Sequence, residues 1–179
     1  IVGPSGSGKT TLCNLIARFW DVDGGRVTIG GRDVREYTLE SLMEQVSMVF
    51  QRVYLFADTV ENNIKFGCPD ATHEQVVAAA KAACCHDFIS ALPNGYDTVC
   101  TDGMFSQGEW QLLSIARAAA ADPAVLLLDE ITANLDAETE ARVLEALRRA
   151  SEGRTVLSVS HRIYENLGGR TVEVRTQNA

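Results

Sequence analysis

The chain has 179 residues, with 16 Lys and Arg against 24 Asp and Glu, which gives a formal net charge of −8. Hydrophobic residues make up 46% and charged residues 22%, the values of an ordinary globular protein, which argues against a disordered or fibrous chain. The acidic balance without clustered Lys or Arg argues against a nucleic-acid surface. No apolar stretch approaches the roughly 20 residues that span a bilayer. Five cysteines without a CxxC pair favour reduced thiols over a disulfide framework or a zinc site.

Strands and helices alternate in the first third of the chain. Ile1 and Val2 have the pattern of the last part of a strand, so we expect a piece cut from a longer protein. A glycine-rich turn precedes a helix predicted from Lys9 to about Trp20. A short strand is predicted at Val27–Ile29, a short helix from its cap Thr38 through Met43, and a strand at Val46–Phe50.

The middle of the chain is predicted to be helical. Helices are expected from about Ala71 to Cys85, at Asp87–Leu92 and from Gln107 to about Ala121. Two capping-box patterns, in which a Ser or Thr is followed three residues later by Glu or Gln, mark helix starts at Thr72 and Ser106.

Strand and helix alternate again in the last third. Val125–Leu128 is wholly apolar, as in a parallel strand covered on both faces. An amphipathic helix is expected over Asp136–Ala150, a strand at Thr155–Val159 and one more at Val172–Val174. The alternation at both ends predicts an α/β core with a mostly parallel sheet and an inserted helical subdomain.

The strongest chemical signal is the segment from Gly3 to Thr10, which reads GPSGSGKT and fits the phosphate-binding pattern GxxxxGK[ST]. Its glycines let backbone N–H groups curl around phosphate oxygens, and the helix that follows presents its positive end to the same anion. Lys9 would neutralise the β- and γ-phosphates, and the Thr10 hydroxyl would bind Mg²⁺. The pattern therefore predicts a P-loop NTPase.

A second signal lies at the end of the apolar strand Val125–Leu128, which is followed by Asp129 and Glu130. Ligands of open α/β sheets bind at such strand ends. Asp129 would hold the Mg²⁺ shell, and Glu130 would orient and activate the attacking water.

Further motifs follow in a fixed order, and together they resemble the nucleotide-binding domains of ABC transporters. They are a glutamine after a strand, a signature-like FSQGE, an NLD run directly after the acidic pair, and a histidine that closes the next strand: Gln51, Phe105–Glu109, Asn134–Asp136 and His161. The resemblance runs up to about Arg162. The stretches VYLFADTVENNI and LPNGYDT are similar to the exporter branch of that family.

The resemblance implies an ATP-hydrolysing domain that uses ATP and Mg²⁺. It implies catalytic roles for Glu130, His161 and Gln51, and Mg²⁺ contacts from Thr10, Gln51 and Asp129. The nucleotide contacts that it implies are Gly3, Pro4, Ser5, Gly6, Ser7, Gly8, Lys9, Thr10, Thr11, Ser106, Gln107, Gly108, Glu109 and Asp136.

The resemblance also implies partners and a location. Two such domains, identical or different, would sandwich two ATP molecules, each under the signature of the other subunit. A transmembrane domain would be fused to or docked on the chain at the cytoplasmic face of the cell membrane. No nucleic acid is expected. Residues 1–51 and 122–179 would form the ATPase core, without its N-terminal strands, and residues 52–121 the helical subdomain.

The signature departs from the usual LSGGQ, because Gln107 replaces its first glycine and Glu109 its final glutamine. Three alternatives remain open at this point. One is a soluble ABC-family ATPase of DNA repair or translation, another is a nucleotide switch that does not hydrolyse, and the third is a P-loop kinase. The exporter-like stretch argues against the first, the presence of Glu130 and His161 against the second, and the signature helix against the third.

Overall fold

The computed structural model describes residues 1–51, 53–132, 135–160 and 169–175. The helices in these ranges are α1 (Lys9–Ile16), α2 (Leu39–Met43), α3 (Val60–Lys65), α4 (His73–Ala82), α5 (His86–Ser90), α6 (Gln107–Ala120) and α7 (Ala137–Ala150). The strands are β1 (Thr28–Ile29), β2 (Arg32–Asp33), β3 (Val46–Val49), β4 (Val125–Asp129) and β5 (Thr155–Val159). Single 3₁₀ turns lie at Val34–Glu36 and Gly95–Asp97.

The main sheet has the strand order β3-β4-β5, and both pairings are parallel. Val49 pairs with Leu128, and Asp129 pairs with Val159. The carboxyl ends of all three strands therefore meet at one edge, which also receives the start of the chain because Ser160 N donates to Ile1 O at 3.1 Å. A separate antiparallel pair, β1 with β2, forms a small hairpin. The predicted α/β architecture is confirmed.

The central strand β4 is buried on both faces, as its unbroken apolar sequence predicts. Leu126 and Leu128 join a large apolar core with α6, α7 and the helices of the middle section. Val125 and Leu127 join a smaller core with the end of α1 and with α2. Alternate side chains of one strand thus tie two layers of helices to the sheet.

Helix capping follows the predictions closely. Thr38 caps α2, and both predicted capping boxes are present, at Thr72 with Gln75 on α4 and at Ser106 with Glu109 on α6. Among the residues that the structure describes, none of these helices is both long and apolar enough to cross a membrane.

Three local predictions differ from the structure. Helix α1 ends at Ile16, not near Trp20, because Arg18 adopts the left-handed conformation (φ 56°) and Phe19 N donates back to Asn14 O at 2.9 Å. The strand expected at Val172–Val174 is reduced to one parallel bridge between Glu173 and Val2. Helix α3 was not predicted, since its six residues are too few to show a helical period.

Candidate functional site

The glycine-rich turn runs directly into α1. Gly8 is the N-cap of this helix and has φ 89°, a left-handed conformation that a residue with a Cβ rarely adopts. Ser7 Oγ is buried and has no hydrogen-bond partner within the described residues. A buried hydroxyl without a partner, in a loop that opens a helix, suits an anion because a phosphate oxygen would accept its proton.

Lys9 is buried although it carries a charge, with only 5% of its surface exposed. Its Nζ donates to Gly3 O at 3.0 Å and to Pro4 O at 2.9 Å, so the ammonium folds back over its own loop. A buried cation needs such partners. The ammonium is therefore held against the turn that the sequence predicts as the phosphate cradle.

Thr10 and Asp129 connect the loop to the sheet. Thr10 Oγ1 donates to Asp129 Oδ1 at 3.0 Å, across 119 residues of sequence. Burial raises the pKa of Asp129, and the Thr10 hydrogen bond acts in the opposite direction. A hydroxyl and a carboxylate side by side are oxygen ligands of the kind that Mg²⁺ takes.

No group of three or more His, Cys, Asp or Glu side chains that could hold a metal occurs in the part of the chain that the structure describes. This agrees with the chemistry of Mg²⁺, which usually binds through one or two carboxylates together with substrate phosphates. Thr10 and Asp129 thus fit a shared Mg–phosphate site better than a site built from protein side chains alone.

Glu130 follows β4 with φ 50°, a left-handed conformation that is unusual for a residue other than glycine. Its backbone N–H donates to Val159 O at 3.0 Å, which anchors this turn to β5. Strained backbone of this kind is concentrated at functional sites. Asp129 and Glu130 therefore stand at the same strand end in two different backbone conformations.

Gln51 is exposed just beyond the end of β3, and its carbonyl accepts a 3.1 Å hydrogen bond from Gln111 Nε2 of α6. The parallel pairing of Val49 with Leu128 places Gln51 and Glu130 at the same edge of the sheet. The structure thus brings together the P-loop, the acidic pair and the glutamine.

The signature-like residues open α6. Ser106 N and Ser106 Oγ both donate to Glu109 Oε2, at 2.8 and 2.9 Å, and Glu109 N donates to Ser106 Oγ at 3.3 Å. Gln107 is exposed, whereas Gly108 is buried against Thr139 of α7. These residues sit at a separate helix start, and the side-chain hydrogen bonds of Ser106 and Glu109 are made with each other.

Asp136 caps α7. Its Oδ1 accepts from Glu138 N and Thr139 N, and its Oδ2 accepts from Thr139 Oγ1 at 2.6 Å. These bonds, with that of the Thr139 side chain foremost, lower the pKa of Asp136. The proposed partners Asn134 and His161 lie outside the described residues, so their roles stay predictions.

The sequence analysis missed an apolar groove of about 370 Å³ beside Gln51. Phe50, Tyr54, Phe56 and Phe66 line it, together with Arg117 of α6. Four aromatic residues within 17 positions were the available signal. The sequence alone does not show that they face one cavity.

Comparisons with known proteins agree with this geometry. The family model described as ABC transporter matches residues 1–133. The chain is 49% identical over 164 residues to an ATP-dependent lipid A-core flippase of Syntrophus aciditrophicus, covering 90% of the chain and 27% of that protein. It is 47% identical to the mycobactin import ATP-binding/permease protein IrtA of Mycolicibacterium smegmatis, covering 98% of the chain and 22% of that protein.

A solved structure is similar as well. A bacterial Atm1-family ABC exporter with ATP bound superposes with a TM-score of 0.81 at 42% identity, and the match covers 90% of this chain and 28% of that one. The chain thus spans only 22–28% of the length of these relatives. On the family match and the exporter relatives, the chain belongs to the ABC transporter family and is an ATP-binding domain related to those of exporters.

Proposed function

We propose that the chain binds ATP with Mg²⁺, hydrolyses the ATP and so powers transport of the exporter type. The observation that carries this proposal is the hydrogen bond from Thr10 Oγ1 to Asp129 Oδ1, because it joins the glycine loop to the end of the central strand. Buried Lys9 and the left-handed Glu130 flank this bond in sequence. An ammonium, a hydroxyl and two carboxylates at a strand end are the groups that phosphoryl transfer to water needs.

Each group has one task in this proposal. The backbone of the loop and Lys9 bind the phosphates, and Thr10 and Asp129 hold Mg²⁺, which spreads the negative charge of the phosphates. Glu130 accepts the proton of the attacking water, and Gln51 helps to orient that water. Positioning and charge stabilisation then account for most of the rate.

A second nucleotide-binding domain completes the site in this proposal. Ser106 and the Gly108 backbone would contact the γ-phosphate of a nucleotide held by the partner domain, at the N-terminus of the 14-residue helix α6. Asp136 and His161 would link this contact to the second site. A second copy of this chain and a different chain both fit this role.

A transmembrane domain is the other proposed partner, and it places the chain at the cytoplasmic face of the membrane. The relatives are about four times as long as this chain, and their names include flippase, permease and exporter. We propose that the apolar groove beside Gln51 receives this domain, because exposed aromatic residues line it. Residues 1–51 and 122–179 act as the ATPase core, and residues 52–121 as the helical subdomain.

Replacement of the proposed base tests this function in the full-length protein. We expect Glu130→Gln to bind ATP normally but to lower ATP turnover at least about 100-fold, the range of general-base contributions. Glu44→Gln, which changes an exposed glutamate at the end of α2, is the matched control and should not change turnover. Near-normal turnover in Glu130→Gln would remove Glu130 from the mechanism. Absence of turnover in the wild-type protein would instead favour a nucleotide switch.

A further inference from the structure

The apolar groove touches each element that carries part of the nucleotide site. Its walls come from the end of α1, from β3, from the segment after Gln51 and from the middle of α6. Three of its aromatic residues are well exposed, with exposed fractions of 44% for Phe50, 69% for Tyr54 and 62% for Phe66. A bound helix would therefore contact the P-loop helix and the signature helix at the same time.

Arg117 is the one charged side chain among the described residues that line this groove. Its guanidinium carbon lies 5.6 Å from the ring centre of Phe56 and 5.5 Å from that of Phe66. Burial lowers the pKa of Arg117, and no ion pair with a carboxylate offsets that burial in the described residues. The groove is thus apolar with one partly desolvated positive charge in its wall.

Arg117 uses only part of its hydrogen-bonding capacity within the chain. Its Nε donates to Asn63 O at 2.8 Å, its Nη1 to Tyr54 O at 3.0 Å and its Nη2 to Asn63 Oδ1 at 3.1 Å. A guanidinium has five N–H groups, so one on each terminal nitrogen has no partner in the described part of the chain. Two such N–H groups suit the two oxygens of a carboxylate.

Asn63 ties Arg117 to the rest of the groove. The side chain of this buried residue accepts from Phe56 N at 2.8 Å and donates to Phe56 O at 3.0 Å and to Thr59 O at 3.0 Å. Arg117 and Asn63 together connect the segment after Gln51 to the signature helix α6. A charge that binds Arg117 therefore acts on an element that also carries Ser106.

We propose that the helix which docks in this groove belongs to the transmembrane domain and carries an Asp or Glu that pairs with Arg117. The groove supplies apolar contact for the body of the helix, and Arg117 supplies the one charge that selects its register. A pair removed from water in this way contributes to specificity, because an occupant without the carboxylate would leave the guanidinium desolvated. This inference rests on the proposed membrane partner and adds the chemistry by which that partner is recognised.

Cross-linking of the full-length protein in lipid nanodiscs identifies the occupant. A photo-reactive p-benzoylphenylalanine at position 54 replaces an exposed aromatic ring of the groove with a larger one. We expect mass spectrometry to find it joined to a cytoplasmic helix of the transmembrane domain that contains Asp or Glu. A cross-linked helix without an acidic residue would overturn the proposal, as would a cross-link to a second copy of residues 1–179.

A charge exchange then tests the pair. We expect Arg117→Glu to lower substrate-stimulated ATP turnover at least about tenfold, and the reversed acid in the docked helix to restore most of it. Arg117→Lys should retain more stimulation than Arg117→Glu, and Arg148→Glu, which changes an exposed arginine of α7, is the control. Failure of the double exchange to restore turnover, with ATP binding intact, would overturn the pairing. A wild-type protein without ATP turnover would contradict the proposed function, while the cross-link would still report the occupant.

Discussion

Gly108 and Thr139 meet where the first turns of α6 and α7 pack together: a Cβ at position 108 would lie only 2.1 Å from Thr139 Cγ2. Thr139 cannot turn away without a cost, because its Oγ1 donates to Asp136 Oδ2 at 2.6 Å. The glycine of the signature-like segment and the aspartate of the NLD run are therefore joined through a single threonine. A shift of α6 would be felt directly at the cap of α7.

We expect Gly108→Ala to destabilise the protein by about 1–3 kcal/mol, the usual cost of adding a methyl group to a tightly packed contact. Thr139→Ser removes the methyl group that the new Cβ would meet and keeps the hydroxyl that bonds Asp136. The double variant should therefore recover most of the lost stability in thermal unfolding. Equal stability of Gly108→Ala and wild type would show that the two helices do not pack this closely.

The role of Ser106 across a domain interface can be separated from its role as a helix cap. Asp is as good an N-cap as Ser, so Ser106→Asp should keep α6 folded while placing a negative charge where a phosphate would bind. We expect ATP binding to the separate domain to persist and ATP-dependent dimerisation to be lost in analytical ultracentrifugation. Thr72→Asp, at the matching capping box of α4, is the control. Loss of dimerisation in both variants would mean that the effect comes from capping.

The sequence predicted those features that depend on local chemistry. Capping boxes at Thr72 and Ser106 need only residues three positions apart, and the apolar run of β4 shows its burial directly. The groove could not be predicted in this way, because Arg117 and Asn63 are 54 residues apart and meet only through packing. The end of α1 was missed because a left-handed Arg18 has no sequence signal comparable to a glycine.

Lys9 supplies a third prediction. Hydrogen bonds to a charged group contribute about 1.5–3 kcal/mol, so we expect Lys9→Met to weaken ATP binding at least about tenfold in a fluorescence titration. Its thermal stability should not fall, because Met fills similar space and removes a buried charge. Lys81→Met, on the exposed face of α4, is the control and should bind normally. Wild-type affinity in Lys9→Met would contradict the assignment of Lys9 to the phosphates.

Asp129 is expected to reduce the stability of the nucleotide-free protein. Burial raises its pKa, so the folded protein holds this proton more tightly than the unfolded chain does. Ionised Asp129 therefore destabilises the fold at neutral pH, and this cost disappears as the pH falls through the raised pKa. Asp129→Asn keeps an oxygen to accept the Thr10 hydrogen bond and removes the charge. We expect its unfolding midpoint at pH 7 to rise by roughly 2–4 °C, the shift that about 1 kcal/mol produces in a protein of this size.

Two further measurements separate this effect from a general gain in stability. The difference in unfolding midpoint between Asp129→Asn and wild type should shrink in acid, because wild-type Asp129 then becomes neutral as well. Addition of ATP with Mg²⁺ should reverse the order, since the wild-type carboxylate gains a metal ion that the amide binds poorly. A difference that stays constant with pH would show that the charge of Asp129 is not its cause. Equal stabilisation of both proteins by ATP with Mg²⁺ would show that Asp129 does not hold the metal.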